Sequence, residues 1–205
     1  ALGTGLLSVV SLGIYRFWAK ARIRRFVWSN IRVGDDALEF TGTGLEMFLG
    51  FLVAVVVLAV YLAAIQLVLF FFGIRFIFAP ETPLEEAMQA GSIGLSFLAA
   101  VPLMLVALYR ARRYRMNRTR LRGIRFGMEN AGLGYMLRAL VYGALAVLSV
   151  GILWPLMTFR LEEYMTARMH WGTARFTQGG HWTGLYPALK TYVAGLAVMA
   201  KYELN

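Results

Sequence analysis

The densest chemistry in this sequence is a run of guanidinium groups: Arg110, Arg112, Arg113, Arg115, Arg118, Arg120, Arg122 and Arg125, with Tyr114 and Phe126 interleaved. A guanidinium is a planar, permanently charged fork of donors that matches phosphate or carboxylate through paired hydrogen bonds. On a helix, Arg110, Tyr114 and Arg118 stand at i, i+4 and i+8 and share one face. The same spacing recurs at Arg160, Tyr164 and Arg168, and in a third version at Arg22, Phe26 and Asn30. Arginine beside an aromatic of headgroup depth suits an anionic lipid or a phosphorylated ligand. The plainer reading is topological, with basic residues holding a membrane protein on the cytoplasmic side and aromatics forming an interfacial belt. Topology needs only a count of charges. The recurrence of Arg in one phase is what adds the anion-binding reading.

Other chemistries find less support. A basic run with interleaved aromatics also raises nucleic acid, but no nucleic-acid fold signature accompanies it and the neighbouring apolar segments favour lipid headgroups or an acidic partner. His170 and His181 have no metal-ligand spacing and no third ligand, and each precedes a tryptophan, as in a polar-aromatic rim. Glu162 and Glu163 point about 100° apart on a helix and do not share a proton. Gly42-Thr43-Gly44 is too short for a phosphate loop and reads as a turn before an apolar helix. No serine sits in a Gly-x-Ser-x-Gly frame, and the absence of cysteine removes thiol nucleophiles, zinc-thiolate sites and disulfides together. No catalytic set, metal site or cofactor site can be assembled, so a non-enzymatic protein is expected.

The elements that must position these arginines are apolar. Of 205 residues 59% are hydrophobic and 16% charged, mean hydropathy is +0.61, and net charge is +10, a composition outside the range of soluble domains. The clearest span runs from Met47 to Gly73 without a charged residue, long enough for a hydrocarbon core of about 30 Å. Ser92 to Tyr109 is a second, kinked by Pro102. The loop between them, Ile74 to Gly91, carries Glu81, Glu85 and Glu86 against Arg75, whereas both flanks are crowded with Arg and Lys; the positive-inside rule puts those flanks in the cytoplasm. Ala139 to Met157 reads as a single crossing, with a bent pair broken at Gly151 and Pro155 as the alternative. Leu185 to Ala200 is a last short apolar segment. Arg138 and Lys190 are polar residues expected within the membrane, Lys190 snorkelling or facing the interior. Leu6 to Ile14 is followed by basic residues and reads as mature sequence instead of a signal peptide. The start at Ala1 and the stop at Asn205 suggest an excerpt of a longer chain.

The chain also repeats. A shift of about 50 residues aligns Leu103, Arg110, Tyr114, Arg118, Arg125, Phe126 and Gly134 with Leu153, Arg160, Tyr164, Arg168, Arg175, Phe176 and Gly184 without a gap. An earlier copy aligns Ser11, Gly13, Ile14, Arg22, Phe26 and Gly34 with Ser149, Gly151, Ile152, Arg160, Tyr164 and Gly172. The copies cover about 6–44, 96–134 and 146–184 of one membrane domain, 1–205. In each, an apolar helix leads into a basic interfacial helix and then a short strand-like segment; Gly34-Asp35-Asp36 predicts the turn of a small hairpin whose partners are strands of the other copies.

The strings Ser11-Leu12-Gly13-Ile14-Tyr15-Arg16-Phe17-Trp18-Ala19-Lys20-Ala21-Arg22, Phe40-Thr41-Gly42-Thr43-Gly44 and Arg120-Leu121-Arg122-Gly123-Ile124-Arg125-Phe126-Gly127 resemble the YjgN family of bacterial inner-membrane proteins. Nearly the whole chain shares the resemblance, although Ala167-Arg168-Met169-His170 replaces the Asn-Thr-Arg pattern of the family. The resemblance implies a bacterial inner-membrane location and repeats and supplies no mechanism. The expectation is a mostly α, multi-pass integral membrane protein with degenerate internal repeats and short β-hairpin segments. Its function is read as that of a scaffold or accessory subunit binding anionic lipid or an acidic partner subunit, with a small transporter or channel for an anionic substrate as the alternative.

Overall fold

The computed structural model of the chain describes residues 11, 13–74, 80–188 and 190, and divides into two compact units, 1–126 and 127–205. The first unit opens with α1 (Arg16–Ser29), three two-residue strands β1 (Arg32–Val33), β2 (Asp36–Ala37) and β3 (Glu39–Phe40), and two long helices, α2 (Gly44–Phe71) and α3 (Pro83–Asn117). Strands β4 (Thr119–Leu121) and β5 (Ile124–Met128) follow, β5 crossing the division between units.

Both long helices start at a local signal. Thr43 and Thr82 each accept from the backbone N–H three residues on, while Glu46 and Glu85 reach back to the capping residue. These reciprocal bonds satisfy donors that every helix start leaves orphaned. Pro83 in the first turn is preset for the helix and forfeits no hydrogen bond. For this reason α3 begins nine residues earlier than the uncharged stretch alone suggests, so Glu85 and Glu86 belong to its first turn and not to a loop. Both helices are long and apolar enough to cross a membrane, and α2 buries only Gly44.

α2 and α3 run antiparallel. Gln66, toward the end of α2, meets Ser96 (2.6 Å) and Ser92 (3.3 Å) in the first half of α3, and Glu46, at the start of α2, meets Tyr114 and Arg118, at the end of α3. α1 packs on α2 through Phe17 against Phe48 and Phe51, ring centroids 5.6 and 5.2 Å apart. The predicted hairpin forms: Arg32 pairs Ala37 and Val33 pairs Asp36 around Gly34, whose φ of +66° suits glycine. β3 pairs β4 in antiparallel register, Glu39 opposite Arg120 and Phe40 opposite Thr119.

The second unit holds α4 (Gly132–Leu148), α5 (Trp154–Thr166), strands β6 (Met169–Trp171) and β7 (Ala174–Arg175), and a short 3-10 turn, Trp182–Leu185. Here one expectation is corrected. Ala139 to Met157 is not one continuous helix: α4 stops at Leu148, Val150 and Gly151 take left-handed φ of +53° and +85°, and α5 runs back along α4. Ser149 secures the reversal by accepting from the Leu153 N–H (3.0 Å) and donating to the Ala146 carbonyl (3.0 Å). Gly151 lies at the break as the alternative reading had it, while Pro155 sits harmlessly in the first turn of α5. Most of Leu185 to Ala200, and the start of the first repeat copy before Ser11, lie outside the described residues.

Candidate anion-binding site

The site is built where α3 ends. Its uncharged stretch from Ser92 to Tyr109 passes without a break into Arg110, Arg112, Arg113, Arg115 and Arg118. The expectation of a separate interfacial helix is therefore corrected in this copy: the basic segment is the last turns of the long helix. No helix breaker intervenes between Tyr109 and Arg110, and Arg and Tyr both tolerate a helix interior.

One carboxylate organises the site. Arg118 Nη2 donates to Glu46 Oε1 at 2.8 Å, and the Tyr114 hydroxyl donates to Glu46 Oε2 at 3.1 Å. Tyr114 lies beyond the uncharged stretch; burial, then the hydrogen bond to Glu46, pushes its phenol above the ordinary value, so it remains a donor at neutral pH. The Arg118 carbonyl accepts from the Thr41 N–H (2.8 Å) and hydroxyl (3.1 Å). Trp28 Nε1 donates to Thr119 Oγ1 (3.0 Å), which donates in turn to the Arg115 carbonyl (2.8 Å). These bonds fix the end of α3 against α1 and the strand β3. Gly42 gives room there: a Cβ would lie 2.6 Å from the Phe40 ring and 2.7 Å from the Tyr114 hydroxyl, so one of these side chains would have to shift.

Beside this framework is an open cavity of about 430 Å³ lined by Arg110, Arg113, Tyr114, Asn117, Arg118 and Arg125. Four arginines and no carboxylate line it; Glu46 offsets Arg118 from outside the lining. Such a wall attracts an anion and offers it forked donors, a phenol and an amide.

The expected face Arg110, Tyr114 and Arg118 is thus brought together. Arg160, Tyr164 and Arg168 are only partly so. Tyr164, 8% exposed, donates to the Ala131 carbonyl (3.2 Å) and lies under two guanidinia, Arg168 at 3.5 Å and Arg138 at 4.3 Å from its ring centroid, a cation–π arrangement. Arg160 instead pairs with Glu163 (2.8 Å), and Arg175 pairs with Glu129 (3.1 Å). The first copy forms no such face: Phe26 is 71% exposed, and Arg22 reaches Tyr15 (3.5 Å). Arg138 and Lys190 are both exposed, Arg138 also bonding the Gly134 carbonyl (3.1 Å). Among the described residues no group of three or more His, Asp or Glu gathers as metal ligands.

Glu46 is not among the site residues that spacing along the sequence points to. Thr43-x-x-Glu46 has the form of a helix-capping pattern, but the partners that make Glu46 part of the site lie 68 and 72 residues away.

A family model described as "Bacterial protein of unknown function (DUF898)" matches residues 4–202. The chain is 25% identical over 130 residues to "Inner membrane protein YjgN" of Salmonella typhimurium (strain LT2), a match covering 60% of this chain and 26% of that protein. The chain thus spans about a quarter of that relative's length. No solved structure matches.

Proposed function

The chain belongs to this bacterial family of unknown function, and from that premise we propose that it is a multi-pass inner-membrane protein, non-enzymatic, acting as a scaffold or accessory subunit that holds anionic lipid at its cytoplasmic surface. The single observation that carries the reading is the continuity of α3, in which an apolar stretch of membrane-spanning length ends directly in clustered arginines. With Ser92 to Tyr109 in the hydrocarbon, Arg110 to Arg118 stand at headgroup depth, where each basic residue gains about 1 kcal/mol from an anionic surface. α2 and α3 form the hairpin that spans. Their charge asymmetry supports cytoplasmic placement of the arginine-rich ends.

Three hairpins support the repeat reading. Their pairs Arg32 with Ala37, Arg120 with Arg125, and His170 with Arg175 fall at the positions that the sequence shifts superpose, as do Val33 with Asp36, Leu121 with Ile124, and Trp171 with Ala174. Left-handed residues Gly34, Arg122 and Gly172 occupy one matched turn position. Shared register is harder to reach by chance than shared hydropathy, because a one-residue slip exchanges the faces of a strand.

The test is vesicle flotation. Purified protein is expected to associate more with vesicles containing phosphatidylglycerol than with pure phosphatidylcholine, and R22Q/R110Q/R160Q to lose much of that preference. Equal recovery with both vesicle types would rule the reading out.

A further inference from the structure

We propose that the cavity at the end of α3 is a binding site for a phosphate group, with Arg110 and Arg125 as its recognising cations. The proposal rests on the anion-binding reading above and narrows it to one site and one ligand chemistry. Three observations carry it.

The first is the cavity itself. Its lining combines four guanidinia with the Tyr114 phenol and the Asn117 amide and contains no carboxylate, Glu46 reaching Arg118 from outside it. A single carboxylate ligand would leave most of this charge unanswered. A phosphate group brings more oxygens and up to two charges, and accepts forked bonds from several arginines at once.

The second is a cross-strand row. Glu39 lies opposite Arg120, and Arg120 lies opposite Arg125, so the three share a face of β3, β4 and β5. Glu39 places a carboxylate in that row opposite Arg120. Arg125 then faces a like charge directly across the ladder, which is unfavourable unless an anion answers it. Among the described residues no carboxylate pairs with Arg125 or with Arg110.

The third is the corresponding place in the next repeat. Arg160 and Arg175 stand where Arg110 and Arg125 do, and each is neutralised internally: Arg160 by Glu163 at 2.8 Å and Arg175 by Glu129 at 3.1 Å. Glu163 aligns with Arg113. Glu163 belongs to the same copy as Arg160 and Glu129 to the copy before it, while at the position of Glu163 that earlier copy has a further cation. Among the described residues no acid takes that place at Arg110 or Arg125, and the anion proposed for them is a ligand.

Two sources offer the chemistry, the headgroup of an anionic phospholipid and a soluble phosphate compound. The purified protein in detergent is compared with R110Q/R125Q and with R16Q/K20Q, which removes the same charge from exposed positions on α1. Binding to phosphatidylglycerol vesicles and the rise of Tm with inorganic pyrophosphate are both measured. R110Q/R125Q is expected to bind about tenfold more weakly or worse, given the usual strength of charge-assisted bonds, and R16Q/K20Q to stay near wild type. R113E, which imports the carboxylate of the next repeat beside Arg110, is expected to lose binding as well, and reads the same site should the double variant fail to fold. A Tm rise with pyrophosphate that depends on Arg110 and Arg125 identifies a soluble ligand; vesicle binding with that dependence and no pyrophosphate effect identifies the lipid. If R110Q/R125Q and R113E bind no worse than R16Q/K20Q, the site is refuted while general attraction to anionic membranes stands. If wild type binds neither probe, the broader reading falls with it.

Discussion

At Gly44 the backbone of α2 comes so close to α1 that a Cβ would lie 2.7 Å from the Trp18 ring and 2.8 Å from its Cα. The second contact is backbone, which cannot swing aside. Gly44→Ala is therefore expected to lower the unfolding free energy by about 1–3 kcal/mol, as overpacking does, seen as a fall in Tm of the detergent-solubilised protein. Gly50, on the same helix, has open space where a methyl would stand, so Gly50→Ala serves as the control and is expected to be neutral or slightly stabilising. Equal Tm values for the two variants would mean that α1 is not pressed onto α2. At this scale the sequence was legible where chemistry is periodic. Arg110, Tyr114 and Arg118 could be read together because the helix itself brings i, i+4 and i+8 onto one face. Glu46 and Glu163 could not be ranked by the same rule: one acid binds across the tertiary fold and the other sits on Arg160, and only the packed structure distinguishes them. Phe26 shows the converse: it has the right phase, yet at 71% exposure it is not packed into a site.

Between elements, the joint that matters most is polar. Ser92 is fully buried, donates to Gln66 Oε1, and lends its carbonyl to the Ser96 hydroxyl (2.7 Å), while Gln66 Nε2 donates to Ser96 Oγ. In an apolar surrounding such bonds hold helices together because the unpaired alternative is costly. Gln66→Leu is expected to cost about 0.6–2 kcal/mol by stripping Ser92 of its acceptor, measured by thermal unfolding. Adding Ser92→Ala should recover part of the loss, since removing both partners is cheaper than removing one. Independent, additive losses would show that the two side chains do not act as a pair. Hydropathy made both long helices visible in the sequence, but not their starts, which Thr43 and Thr82 decide through capping. The reversal after α4 was legible only as the alternative to a single crossing, for a related reason. Val150 and Gly151 are apolar or neutral to a hydropathy window, whereas the event there is a pair of left-handed backbone angles.

For the molecule as a whole, the orientation of the α2–α3 hairpin is directly measurable, because the sequence contains no cysteine to give background labelling. Glu86→Cys, in the first turn of α3, and Asp35→Cys, in the turn between β1 and β2, both replace exposed residues. A membrane-impermeant maleimide applied to intact spheroplasts is expected to label E86C at once and D35C only after permeabilisation. Labelling of both from the same side would overturn the two-span topology. The unbroken length of α3 has a further, mechanical consequence. Its 35 residues make a rod of about 50 Å at 1.5 Å per residue, and Pro102 removes one rung of its hydrogen-bond ladder. From that joint to Asn117 is a lever arm of about 23 Å, so a flexure of about 10° at the proline would swing the arginine-bearing tip by about 4 Å. A small tilt deep in the apolar stretch is thereby geared up into a displacement as large as the group the cavity would grip.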